Sequence, residues 1–156
     1  MTQINAINYR EKIIALWTVF LLGTLFHTQL GLMPLFHGLD VAIMGHHHPE
    51  GATMGEITPI LWGMLLFFML PMLAIVGTAF YEFKRYRAFH FGLTLVYTVL
   101  NLIHAIADLL VTPIAWYQIA LMVFLLLVGI LLNLVSYQWM RLGSRHQRIT
   151  SVAKEV

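Results

Sequence analysis

The sequence predicts an all-α membrane protein, with four transmembrane helices in an up-down-up-down bundle and both termini cytoplasmic. Three observations carry this reading. Of 156 residues, 60% are hydrophobic and 10% charged, against about 25% charged in soluble domains, and the mean hydropathy is +0.80. The apolar residues gather in runs at 13–35, 57–80, 89–111 and 114–140, each long enough for the ~20 residues that a helical span needs. The nine Lys and Arg residues all flank the same ends of these runs. Because lipid offers no partners to backbone groups and strand alternation is absent, the spans are helices, and they use nearly the whole chain as one domain.

The first run follows Arg10 and Lys12. It exceeds the 7–15 apolar residues usual in a signal peptide and lacks a small-residue cleavage site, so it is expected to be a retained helix. Thr58-Pro59 and Thr112-Pro113 each pair a capping hydroxyl with a proline suited to the first helical position, and predict the starts of the second and fourth helices. Pro71, inside the second run, is expected to kink it. Lys84, Arg85 and Arg87 are read as the connection between the second and third helices, and Arg141, Arg145, Arg148 and Lys154 follow the fourth. By the positive-inside rule the termini and the 82–88 connection are cytoplasmic. The 36–56 loop and the Thr112-Pro113 turn then face the periplasm, a lumen or the exterior. That outer side carries Asp40, Glu50 and Glu56 but no Lys or Arg.

Composition also excludes function classes. With no cysteine there are no disulfides, thiolate ligands or covalent c-type haem attachment. Although the pI is near 9.1, cations scattered among membrane flanks make no nucleic-acid surface. No hydrolytic triad or phosphate-binding glycine loop is present. Any metal must be held by His, carboxylate, Met or carbonyl groups.

The third run carries the most informative pattern: His90, Thr94, Tyr97, Asn101, His104 and Asp108 recur at spacings of 4, 3, 4, 3 and 4. They share one helical face, which must turn into the bundle because polar groups in hydrocarbon are costly unless partnered. His27 in the first helix lies about nine residues from its outer end and His104 about eight from its own, so both sit ~12–13 Å deep. On parallel, diagonally placed helices such inward histidines face one another. Met64 and Met122 fall near the same level, with Gly23, Gly31 and Gly63 allowing close approach or room for a flat ligand. The outer loop adds His37, the His46-His47-His48 run and Glu50, donors that suit transition metals.

Four functional readings follow. The first is a metal-binding, redox protein with copper, iron or zinc held by His27, His104 and Asp108, supplemented by His37, His46, His47, His48 or Glu50. Its partners beyond the bilayer would be a quinol or a small redox partner on the outer side. The second is a haem b cytochrome with His27 and His104 as axial ligands. In its in-bundle histidines the chain resembles four-helix b-type membrane cytochromes, a resemblance that implies electron transfer through haem. Those proteins carry two histidine pairs on two levels, and this sequence matches one. The outer face also lacks the cations that haem propionates favour. The third reading is a proton or cation path along His90, Tyr97, Asn101, His104 and Asp108. The fourth is an accessory subunit of a larger membrane complex or a homo-oligomer, its polar stripe serving assembly.

Overall fold

The computed structural model describes the backbone of residues 2–38 and 54–152 and the side chains of 9–38, 55 and 57–142. The described chain forms four helices: α1 (Thr2–Phe36), α2 (Met54–Phe80), α3 (Lys84–Leu109) and α4 (Trp116–Val152). Within them the four stretches Tyr9–Phe36, Ile57–Phe80, Lys84–Leu109 and Trp116–Leu142 are long and apolar enough to cross a membrane. Large apolar side chains remain exposed around the bundle, including Leu22, Ile60, Leu73, Ile103 and Leu127. In water such a surface would aggregate; in lipid it is the solvated face. The chain is a multi-pass membrane protein.

Helix α4 packs against both α1 and α3, while α2 lies principally on α1. The α1–α4 seam closes tightly where Gly23 meets Leu125: a Cβ at Gly23 would stand 2.4 Å from Leu125 Cδ2. Polar ties join the other pairs. Arg10, early in α1, donates from Nε to the Thr78 carbonyl at 2.8 Å, and its remaining nitrogens reach the Ala79 carbonyl at the end of α2 and the Glu82 carboxylate just beyond it. Tyr86 and Tyr97 of α3 donate to the Ala74 and Phe67 carbonyls of α2 at 2.8 and 2.7 Å. Asn133 of α4 donates to Thr98 Oγ1 of α3 at 2.9 Å.

The core is richest at the end of the bundle that holds residues 9–17, hereafter the terminal end. There Trp17, Tyr86, His90 and Trp139 pack at ring separations of 5.8–6.2 Å, distances and angles favoured by aromatic quadrupoles. At the opposite, distal end α1 stops at Phe36. His37 and Gly38 donate their amides to the Pro34 and Leu35 carbonyls, and Gly38 adopts φ +69°, the left-handed conformation that glycine takes without steric cost.

Three expectations about helix boundaries are corrected. Helix α2 begins at Met54, so Thr58-Pro59 lies inside it. A proline that early removes one backbone donor, and the carbonyl four residues before it belongs to Gly55, where no side chain adds to the crowding. Thr112-Pro113 lies in the α3–α4 connection, and α4 begins at Trp116. The Ala115 carbonyl accepts the first bonds of α4, from the Gln118 and Ile119 amides at 2.9 and 3.2 Å. Proline keeps Thr112 out of helical geometry, but a few more residues are needed before the ladder starts. Lys84, Arg85 and Arg87 belong to α3, and residues 81–83 make the connection. Arg87 is drawn into the structure because its guanidinium lies 5.0 Å over the Trp139 ring and donates to the Trp139 carbonyl at 3.3 Å, a combination of cation–π and charged hydrogen bonding.

Candidate metal centre

The α3 stripe turns inward. His90, Thr94, Tyr97 and Asn101 are its buried residues, as expected of polar groups that would otherwise face hydrocarbon. At the terminal end the stripe is occupied with structural bonds. Trp17 Nε1 donates to His90 Nε2 at 2.9 Å, and His90 is 0% exposed, so Nε2 is already an acceptor, while Nδ1 is buried without a hydrogen-bond partner. Thr94 donates to the Phe91 carbonyl of its own helix, and Tyr97 ties α3 to α2. His90 and Tyr97 thus bond to two different neighbouring helices, which is the pattern of interhelical cohesion.

One turn beyond Asn101 the chemistry changes. His27 of α1 and His104 of α3 meet with their Nε2 atoms 3.2 Å apart and their rings at 80°. The Asp108 carboxylate lies across them, Oδ2 at 3.3 Å from His27 Nε2 and Oδ1 at 3.7 Å from His104 Nε2. Helical geometry builds this group: His104 and Asp108 are four residues apart and stack on one face of α3, while Thr24, His27, Thr28 and Gly31 form the matching face of α1. The Thr24 and Thr28 hydroxyls donate to the Phe20 and Thr24 carbonyls of their own helix, which clears the approach to His27. One ligand atom from each of His27, His104 and Asp108 can lie within 4.8 Å of the others, so the group could hold a metal ion.

The distances indicate which kind of group fits. An ion bonded at ~2.0–2.1 Å in tetrahedral geometry needs ligand atoms about 3.3–3.4 Å apart; the two Nε2 atoms stand 3.2 Å apart, and each lies nearest a different oxygen of Asp108, His27 to Oδ2 at 3.3 Å and His104 to Oδ1 at 3.7 Å. Axial nitrogens of one haem iron lie on opposite faces of a macrocycle, about 4 Å apart at the same bond length. The observed 3.2 Å between the two Nε2 atoms is closer to the first spacing than to the second. The site is also asymmetric in access: His27 and Asp108 side chains are 10% and 18% exposed, whereas His104 is 56% exposed. His104 borders a cavity of about 1070 Å³ that opens among the four helices at the distal end. One side of a bound ion would therefore face this space.

His37 stands in the exposed turn after α1 and is outside the three-residue group among the described residues. His46, His47, His48 and Glu50 lie outside the described residues. Met122 is buried beside the cavity and Met64 is an exposed member of its wall. Several participants were not singled out in the sequence. Trp17 as the partner of His90 and the Thr98–Asn133 pair depend on helix rotations that no single span encodes. The Thr24–His27–Thr28–Gly31 face did carry a signal, a polar and small-residue spacing of three and four in an otherwise apolar run.

Fold and site together define a class: a four-helix membrane protein with a histidine–carboxylate group able to hold a metal ion within its bundle. Comparison with protein families, curated proteins and solved structures finds no match to this chain.

Proposed function

We propose that this chain is an integral membrane metal-binding protein that holds one transition-metal ion through His27, His104 and Asp108. The observation that carries the reading is the convergence of three ligand-capable groups from two helices, one atom of each within 4.8 Å of the others, inside a bundle where unpaired ionisable groups are costly. Without an ion, two imidazoles and a carboxylate share one hydrogen bond and leave Asp108 Oδ2 and His27 Nδ1 buried without hydrogen-bond partners. An ion would take both Nε2 atoms and the Asp108 carboxylate at once, while His27 Nδ1 faces away from it. Two imidazoles with one carboxylate suit zinc, iron or copper, and the side facing the cavity leaves a coordination position for an exogenous ligand. His37, the His46–His48 run and Glu50 are proposed as an outer delivery or capping set.

In the membrane the bundle is read as up-down-up-down. Supporting this, Arg10 near the start of α1 meets the end of α2, Arg87 meets Trp139, and Gly31 near the end of α1 lies against Gln118 near the start of α4. The cation distribution places both termini in the cytoplasm, with the metal centre in the outer half of the bilayer. Metal analysis of protein purified with a histidine-free tag and without chelators tests the reading. One equivalent of metal per chain is expected, sharply reduced by His27→Ala or His104→Ala and retained when His46, His47 and His48 are all replaced by Ala. A Soret band in the purified protein, or metal lost with the loop variant and kept by His104→Ala, overturns it.

A further inference from the structure

The distal cavity is larger than one metal ion requires. Its walls come from all four helices, and its volume of about 1070 Å³ stands at the upper end of the ~300–1,000 Å³ usual for small-molecule sites. We infer that this cavity binds a neutral, lipid-soluble carbonyl compound of the quinone class, its ring head beside His104 and its tail leaving toward lipid between α2 and α3. The inference rests on the cavity itself and names a partner for the adjoining site; it holds with or without the ion.

Three features of the lining define the ligand. Phe20, Phe67, Phe68 and Met64 offer flat and adaptable apolar surface to a ring. Among the described residues no Lys or Arg lines the space and Asp108 is its one acid, so a phosphate or carboxylate head would enter against an uncompensated charge. An unsatisfied donor also lies in the wall: Asn101 is 7% exposed and lines the cavity, and its Nδ2 is covered and without a hydrogen-bond partner, so that a turn of the side chain would present it to a ligand. Leaving such a group unpaired is costly, and a carbonyl oxygen satisfies it. A hydrocarbon chain would not.

Access follows from the packing. Helices α2 and α3 are tied by Tyr86 to Ala74 and by Tyr97 to Phe67, both on the terminal side of the cavity. Beyond them Gly63 faces open space, with no atom within 4 Å of where a Cβ would stand. This leaves a lateral opening between α2 and α3 beside Gly63.

The test is titration of decylubiquinone into protein in phosphatidylcholine nanodiscs, followed by tryptophan fluorescence quenching, on EDTA-treated and metal-loaded samples. Saturable binding of one quinone per chain is expected, weakened at least tenfold by Asn101→Leu and by Gly63→Leu, with metal content unchanged in both variants. Gly63→Leu projects into open space, so it blocks the mouth without disturbing the fold. Saturable binding by the EDTA-treated protein supports the cavity reading even if no metal centre exists. Quenching that tracks lipid concentration and is identical in wild type and variants overturns it and leaves the metal reading standing. A co-purified phospholipid that decylubiquinone fails to displace overturns it equally.

Discussion

The site depends on a bundle that is closed at its terminal end and open at its distal end, and two glycines of α2 report on that difference. At Gly77 an added Cβ would stand 2.5 Å from the Tyr86 hydroxyl and 2.8 and 2.9 Å from Cζ and Cε2 of its ring. The ring cannot withdraw freely, since it packs against His90 and Trp139 at 6.0 and 6.2 Å and its hydroxyl donates to the Ala74 carbonyl at 2.8 Å. Gly77→Ala therefore adds an overpacking cost of ~1–3 kcal/mol and weakens an interhelical hydrogen bond worth ~0.6 kcal/mol. The helix propensity of Ala over Gly offsets ~0.5–1 kcal/mol. The expected net destabilisation is about 1–3 kcal/mol. Gly63→Ala meets nothing within 4 Å and retains the propensity gain alone, so it is expected to be neutral or slightly stabilising. Thermal unfolding in detergent, followed by circular dichroism, measures both, and at ~2–4 °C per kcal/mol the two midpoints should differ by roughly 5–10 °C. Equal midpoints would refute the closed-and-open description of the α2–α3 seam.

Other substitutions probe the polar stripe and the centre. Tyr97→Phe removes the bond to the Phe67 carbonyl and should cost ~0.6 kcal/mol, at most ~1.7 kcal/mol, in an unfolding titration, with metal content unchanged. Trp17→Phe strips His90 Nε2 of its donor inside a fully buried site and should cost ~1–3 kcal/mol by the same assay. Imidazole ligates when neutral and carboxylate when ionised, so metal binding releases protons. Affinity should fall as pH is lowered, and equilibrium dialysis across mildly acid pH should show progressive metal release. Retention that is flat with pH would contradict imidazole ligation.

Much of this architecture is legible in the sequence because lipid is a simple solvent. Helices α1 to α4 follow from four apolar runs, and the inward turn of His90, Thr94, Tyr97 and Asn101 follows from the cost of placing polar groups in hydrocarbon. Residue counting from the span ends placed His27 and His104 at one depth, and their ring nitrogens stand 3.2 Å apart. What escaped the sequence depends on local geometry or on rotation about helix axes. Pro113 lies in a break and Pro59 inside α2, neither at a helix start, because capping depends on which carbonyl first finds an acceptable donor. Arg87 read as a loop cation until the Trp139 face gave it a surface to cover. The cavity, finally, is a property of how α2 leans on α1 and away from α3, which no apolar pattern within one helix records.

The central claim is that His27, His104 and Asp108 bind one ion directly. X-ray absorption at the edge of whichever metal co-purifies tests it most directly. The account predicts a first shell of nitrogen and oxygen at about 2.0–2.2 Å, with imidazole scattering from two histidines that falls to one in whatever metal His104→Ala still retains. A shell of four equatorial porphyrin nitrogens, or a first shell unchanged by His27→Ala and His104→Ala, would contradict it.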